Sequence, residues 1–458
     1  MLNTRSRLRV NRQWFELLCV WPAAWTLILI VLHQCVIAGS SIFLTRLIEV
    51  FQKNGDFRID LVGYLAAMLF PYLPGCVSYV TLQSWINHAH SRCVNRLADT
   101  SFGLTEKYRD IDTRRSIEAI TSRNSFIVIN DYLTFLHGFF GFFLNSFLSI
   151  LVLGMLLPGN LLSGYFLSVA LCLVIVLISR KWVSQLSTRV EGEFIIYSEL
   201  LSKIWDNATL GNTYNFELWS KKKSQLANRY YAQSTRLQLT KQSGNLVLAC
   251  ASLGPTIYLV FHVLQAPIAN PALIAAVIVN FTRIFHILNS LSSLVYQLLN
   301  WSSMTARLHV VFDAESSLFH ATDLLSMPTG IIKMNDRCIY HFDEVTEVIS
   351  ERPNGRFTIR GENGSGKTSL LQYIKKTIGD QAMLIPSDQG DLIWSTNTRN
   401  LSTGQGALFR IQEAASQAAI VYILLDEWDA NLDEKNTYDM DQFLDELSQA
   451  KIVIEVRH

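Results

Sequence analysis

Gly361-Glu362-Asn363-Gly364-Ser365-Gly366-Lys367-Thr368 lies between Phe357-Thr358-Ile359, which reads as a strand, and Ser369-Leu370-Leu371-Gln372-Tyr373-Ile374, which reads as the start of a helix. A glycine-rich turn in that setting lets successive backbone N–H groups face a phosphate, and the helix N-terminus behind it favours negative charge. Lys367 is placed to neutralise β- and γ-phosphate charge, and the Thr368 hydroxyl can ligand Mg²⁺. A glycine-rich surface turn is the bland alternative, and the agreement of strand, turn and helix weighs against it. The motif by itself does not separate a transporter from a kinase or a GTPase.

Downstream, Ile420-Val421-Tyr422-Ile423-Leu424-Leu425 is a continuous apolar run of the kind a buried parallel strand requires, and Asp426 and Glu427 follow it. In open α/β sheets ligands bind at the carboxyl ends of strands. Asp426 can hold Mg²⁺ through its hydration shell, and Glu427 is placed to orient or deprotonate a water that attacks a γ-phosphate. Acidic residues after a strand also cap helices. Joined to the glycine-rich turn, the pair points to an ATP site.

The remainder of the chain has a different composition. Of 458 residues 50% are hydrophobic and 17% charged, and the mean hydropathy of +0.22 excludes an ordinary soluble enzyme. The net charge of +1 and the scattered basic residues give no reason to expect nucleic acid as a partner. Cys19, Cys35, Cys76, Cys93, Cys172, Cys250 and Cys338 lack CxxC or zinc-ligand spacing, so they read as small apolar residues.

Six apolar runs are long enough to cross a bilayer, which takes roughly 20 residues: 22–46, 60–82, 132–157, 160–181, 244–265 and 271–298. Short connections alternate with long ones, as six membrane helices with long inner loops would require. Arg5, Arg7, Arg9 and Arg12 precede the first run, and Arg92, Arg96, Lys107, Arg109, Arg114, Arg115 and Arg123 fill the connection before the third. The positive-inside rule then puts both termini in the cytoplasm. The first run is long and lacks a small-residue cleavage site, so it reads as a retained span. In the long connections apolar residues recur at helical spacing, as at Leu200, Leu201, Ile204 and Leu210. Pro328-Thr329-Gly330 interrupts the helical pattern, which divides the chain into a membrane domain over 1–320 and a nucleotide domain over 330–458.

Leu401-Ser402-Thr403-Gly404-Gln405 is similar to the LSGGQ signature, and the stretch from Leu424 to Asp433, LLDEWDANLD, is similar to the LLDEATSALD pattern of ABC-transporter ATPases. The whole chain resembles a half-size ABC exporter. That resemblance implies a six-helix membrane domain followed by a cytoplasmic α/β P-loop NTPase domain, with ATP and Mg²⁺ as cofactors. It also implies a dimer, with a second copy or a paralogous half-transporter. Each ATP would lie between Gly361–Ser369 of one subunit and Ser402, Gly404 and Gln405 of the other. Gln389, in a stretch similar to the Q-loop, would sense Mg²⁺ and the attacking water. Asp433 falls in the D-loop match, and His458 in the match to the switch histidine. Tyr340 is the candidate to stack on adenine, with Phe342 as the alternative.

The departures from the family pattern are specific. Residues 389–400 run straight into Leu401, so most of the helical subdomain is missing. Thr403 replaces a glycine and adds a β-branched side chain. His458 stands at the last position, where its free carboxylate would add negative charge. Within the spans Asn280, Arg283, His286 and Asn289 are the polar groups most expected to meet cargo, because ionisable groups inside a membrane are functional by default. Pairing among themselves, or capping water near the cytoplasmic end, is the equal alternative, and His33, His137 and His262 read as structural or interfacial. The expected activity is ATP-driven export of a small peptide, toxin or natural product from a bacterial inner membrane by alternating access. The alternatives are a lipid flippase, an importer on an exporter scaffold, and a weakly hydrolysing regulatory or immunity protein.

Overall fold

The computed structural model describes residues 13–119, 121, 125–156, 159–264, 289–290, 293–294, 296–298, 300–301, 304–305, 307–309, 311–312, 318, 328–335, 337–387, 392–395, 403–430 and 432–457. They form two compact units, one of residues 1–97 and 119–316 and one of residues 98–118 and 317–458.

The first unit is helical. Helix α1 (Trp21–Gln52) starts with Pro22 in its first turn, where a missing N–H costs nothing. It packs against α2 (Arg58–Leu69) and α5 (Ser125–Leu156). Gly63 of α2 lets the helices approach closely, since a Cβ there would fall 2.7 Å from the Phe43 ring. Pro71 separates α2 from α3 (Tyr72–Ser101), and the two together read as one apolar element. The short helix α4 (Ile111–Ala119) lies almost wholly in residues 98–118, which fold in the second unit; in the first unit the long helix α6 (Gly159–Ser202) packs against α8 (Thr213–Leu264), with α7 (Ile204–Thr209) between them in the chain.

Among the described residues three helical segments are long and apolar enough to cross a bilayer: Trp21–Gln52, Arg58–Ser101 and Ser125–Ser149. Ala170–Ser179 and Lys181–Ser202, bent by 43° at the break between them, make a fourth if the two are taken as one span. The run expected as the fifth span, 244–265, falls at the C-terminal end of α8, around Pro255, and is not among these segments. Most of the sixth lies outside the described residues. Exposed Ile28, Val31, Leu32, Leu65, Leu69 and Val80 give α1 to α3 an apolar outer surface suited to lipid.

The second unit is built on a six-stranded sheet in the order β2-β1-β3-β6-β5-β4. Its strands are β1 (Ile332–Met334), β2 (Arg337–Ile339), β3 (Gly355–Gly361), β4 (Ala382–Ile385), β5 (Tyr422–Asp426) and β6 (Ile452–Val456). β1 is antiparallel to β2 and β3, whereas β3, β6, β5 and β4 run parallel. Apolar side chains on both faces of these strands require helices on both sides. Helices α9 (Phe342–Ser350) and α10 (Lys367–Ile378) cover one face with Phe342, Val345, Leu370, Leu371 and Ile374. Helices α11 (Thr403–Ser416) and α12 (Glu434–Leu447) cover the other with Ile411, Ala414, Met440 and Leu444. This unit takes in residues 98–118, which the division of the sequence near 320–330 leaves with the membrane part.

A charged residue lies deep in this apolar sheet, flanked by apolar neighbours along its strand. Glu455 on β6 is 1% exposed and accepts hydrogen bonds from Arg356 Nε and Nη2 at 3.0 and 2.9 Å, Thr358 Oγ1 at 2.8 Å and Trp428 Nε1 at 2.9 Å. Arg356 also donates to Asp445 and Asp441 of α12. Burial opposes the guanidinium charge, but the hydrogen bonds to Glu455, Asp445 and Asp441 outweigh it and raise the Arg356 pKa above the usual arginine value. Because breaking a buried pair strands an uncompensated charge, Arg356→Met should cost about 3–5 kcal/mol of stability. Thermal or denaturant unfolding followed by tryptophan emission measures it, and a loss below about 1 kcal/mol, typical of a surface pair, would contradict the assignment.

Candidate functional site

The parallel register places the ends of β3 and β5 on either side of β6. The chain leaving β3 makes the glycine-rich turn, in which Gly364 and Gly366 have φ of +83° and +101°, values that favour glycine. Gly366 also caps α10 with no side-chain hydrogen bond, so the first-turn N–H groups of α10 have no capping side chain. Gly361 is needed for another reason: a Cβ there would lie 2.7 Å from the Ile331 carbonyl oxygen.

Pro328-Thr329-Gly330, which the sequence marks as a break between domains, acts as a strut behind this turn. Thr329 N and Gly330 N donate to the Ser365 carbonyl, and Thr329 Oγ1 donates to the Gly364 carbonyl at 2.6 Å.

Lys367 is buried and donates to the carbonyls of Gly361 and Glu362 at 2.8 and 3.1 Å. These acceptors are neutral, so the ammonium brings a full positive charge to the α10 N-terminus. Thr368 Oγ1 lies 2.9 and 3.0 Å from the two carboxylate oxygens of Asp426. Burial raises the Asp426 pKa, and the Thr368 hydroxyl, Arg109 and Lys367 oppose that rise while Glu427 adds to it. Glu427 has φ of +47°, a strained conformation for a non-glycine residue and one that clusters at active sites.

These residues fit a nucleotide with its metal. Thr368 and Asp426 are the hard oxygen donors Mg²⁺ prefers, and the Ser365 hydroxyl is buried without a hydrogen-bond partner inside the turn. Consecutive amides, an uncapped helix start and Lys367 suit a polyphosphate.

The other expected site residues fall as follows. Glu362, Asn363 and Gly364 are exposed along the turn, and Ser369 is half-buried in the first turn of α10. Tyr340 is exposed after β2, whereas Phe342 is fully buried in the α9 core; with its ring packed inside, Phe342 cannot serve as the alternative stacking residue. Gly404 and exposed Gln405 lie in the first turn of α11, which begins at Thr403. Asp433 caps α12 by accepting from Asn436 N at 2.7 Å. Asn289 is exposed in the first unit. Gln389, Ser402, His458, Asn280, Arg283 and His286 lie outside the described residues.

The sequence gives no hint of two further contacts. In the first unit His33, Gln34, Ser78, His137 and Asn145 surround a cavity of about 250 Å³. His33 Nδ1 donates to the Pro71 carbonyl between α2 and α3, and His137 hydrogen-bonds Ser78, contacts of a structural kind. In the second unit Arg109 donates to Thr368 Oγ1 at 2.6 Å. In the sequence it is one arginine among several in its connection.

No protein-family model matches the chain. No curated protein matches it either. Among solved structures it is similar to a bacterial Atm1-family ABC exporter determined with ATP bound: the TM-score is 0.62 at 10% identity, covering 95% of this chain and 90% of that one. The chain therefore has the fold of an ABC exporter. Because the Gly361 Cβ would meet backbone, Gly361→Ala should cost about 1–3 kcal/mol through overpacking. Ala at exposed Gly192, which has nothing within 4 Å, is the control, and equal melting shifts in the two variants would contradict the close approach.

Proposed function

We propose that the chain is one half of a dimeric, ATP-driven ABC exporter with six membrane spans and a shortened P-loop nucleotide domain. The observation that carries this reading is the hydrogen bond between Thr368 and Asp426, which joins the glycine-rich turn and the acidic strand end into one site. The exporter fold supplies the wider setting.

In this reading the amides of residues 361–369 and Lys367 bind the phosphates of ATP, and exposed Tyr340 stacks on adenine. Thr368 and Asp426, with Gln389, hold Mg²⁺, which when bound neutralises β- and γ-phosphate charge. Glu427 orients a water, takes its proton as the water oxygen bonds to the γ-phosphorus, and the bond to the ADP oxygen breaks. His458 contacts the γ-phosphate. Ser402, Gly404 and Gln405 close the site from the partner, a second copy or a paralogous half-transporter, with Asp433 bridging the two sites.

Binding then closes the two nucleotide domains and hydrolysis releases them, so that the membrane domains alternate their access. The cargo is a small peptide or an amphipathic compound, met by polar groups such as Asn280, Arg283, His286 and Asn289. The setting is a bacterial inner membrane with both termini cytoplasmic.

Purified protein should hydrolyse ATP in a Mg²⁺-dependent manner. Lys367→Ala should abolish turnover, and Glu427→Gln should slow it by about 100-fold or more, the usual contribution of a general base, while nucleotide still binds. Equal rates in the wild type and both variants would sink the motor reading. ATP-dependent accumulation of a labelled peptide inside inverted vesicles tests direction, and ATP-dependent lipid movement without peptide uptake would favour the flippase.

A further inference from the structure

Arg109 belongs to the connection of residues 98–118, which folds with the nucleotide unit. A 3-10 turn (Thr105–Lys107) of this connection packs on α10. Glu106 pairs with Lys376 at 3.7 Å, and Lys107 pairs with Asp110 at 3.5 Å. Asp110 fixes the start of α4 by accepting from Thr113 N and Thr113 Oγ1 at 3.1 and 2.7 Å. Arg109 is thus launched from an anchored turn.

Its Nη2 reaches Thr368 Oγ1 at 2.6 Å and lies 3.6 Å from Asp426 Oδ2. Those are the two groups that fit Mg²⁺, whose ligands stand at about 2.0–2.1 Å. A metal bound to both and a guanidinium bound to both require the same space. The Arg109 side chain is 60% exposed while that of Asp426 is 5% exposed, so the arginine can leave into water without opening a core.

We propose that Arg109 is a built-in competitor of Mg²⁺: its guanidinium holds Thr368 and Asp426 until metal-loaded nucleotide displaces it, which frees residues 104–110 from the site. The inference rests on the nucleotide-binding reading above. Competition is reciprocal, so whatever the arginine contact contributes to docking is subtracted from metal affinity. The connection is continuous with α3 on one side and leads to α5 on the other, so the exchange gives nucleotide state a covalent path to two apolar helices. A purely structural ion pair, formed only to neutralise buried Asp426, would show no such exchange.

The test is a Mg²⁺ titration of fluorescent ATP-analogue binding to the full-length protein in nanodiscs. Arg109→Ala should lower the half-saturating Mg²⁺ concentration by about fivefold or more, the lower range of measured couplings, and Arg109→Lys should fall between it and the wild type. Lys376→Ala, which removes only a half-exposed ion pair of the same turn, should lower the Mg²⁺ requirement by less than about twofold, because such a pair holds the turn only weakly. In wild-type protein, hydrogen exchange of residues 104–110 should rise on adding Mg·ATP relative to ATP with EDTA, a readout that remains if Arg109→Ala does not fold. An unchanged or higher Mg²⁺ requirement in Arg109→Ala, or exchange at 104–110 indifferent to Mg·ATP, would overturn the proposal. Wild-type affinity in Lys367→Ala would instead overturn the site reading beneath it.

Discussion

Glu455 lies near the end of β6, buried and held by Arg356, Thr358 and Trp428. The arrangement of the second unit depends on this contact, because β6 separates β3 from β5 and its two neighbours carry the two halves of the site. Adjacent strands are about 4.8 Å apart, so a single intervening strand sets the spacing across which Thr368 reaches Asp426. Arg356 extends the tie to Asp441 and Asp445 of α12, and Arg457 reaches Asp441 and Asp429 beside the acidic turn. The network therefore joins strand, helix and the turn that carries Glu427. An apolar residue at 455 would pack in the sheet yet leave Arg356 and Trp428 without this acceptor, which is why a charge is kept where burial is otherwise unfavourable.

Much of this was legible in the sequence where local pattern and chemistry coincide. The strand expected at 357–359 lies within β3, and the helix expected from Ser369 begins at Lys367, because glycines, lysine and apolar spacing all act within a dozen residues. The apolar run before Asp426 likewise forms β5 from Tyr422 onward. What escaped the sequence depends on distant partners. Glu455 sits in an apolar strand with nothing nearby to announce Arg356. Pro328-Thr329-Gly330 carries the composition of a linker and yet braces the Ser365 turn. Tyr340 and Phe342 are equally aromatic, and only tertiary packing puts one at the surface and the other in the core. Arg109 is 259 positions from Thr368, beyond any periodicity argument.

The short path from β4 to α11 has a structural counterpart. Where an inserted helical subdomain is expected from the family resemblance, only residues 386–402 separate these elements. The connection 98–118 instead lies along α10 and β4, and with Leu392 and Leu318 it encloses a largely apolar cavity of about 790 Å³. Within this unit its anchors are the Glu106–Lys376 pair and Arg109, both made to the helix that carries Lys367 and Thr368. Two side chains, Arg109 and Glu106, thus tie the loop to the helix that follows the glycine-rich turn.

The central claim is that the turn after β3 and Asp426 at the end of β5 form one Mg·ATP site. The most direct measurement is a cryo-electron microscopy map of Glu427→Gln protein with Mg·ATP. The account predicts triphosphate density along residues 361–369, a metal between Thr368 and Asp426, and Arg109 withdrawn from both. A map at saturating Mg·ATP with nucleotide absent from that turn, or bound elsewhere while Arg109 stays on Thr368, would contradict it.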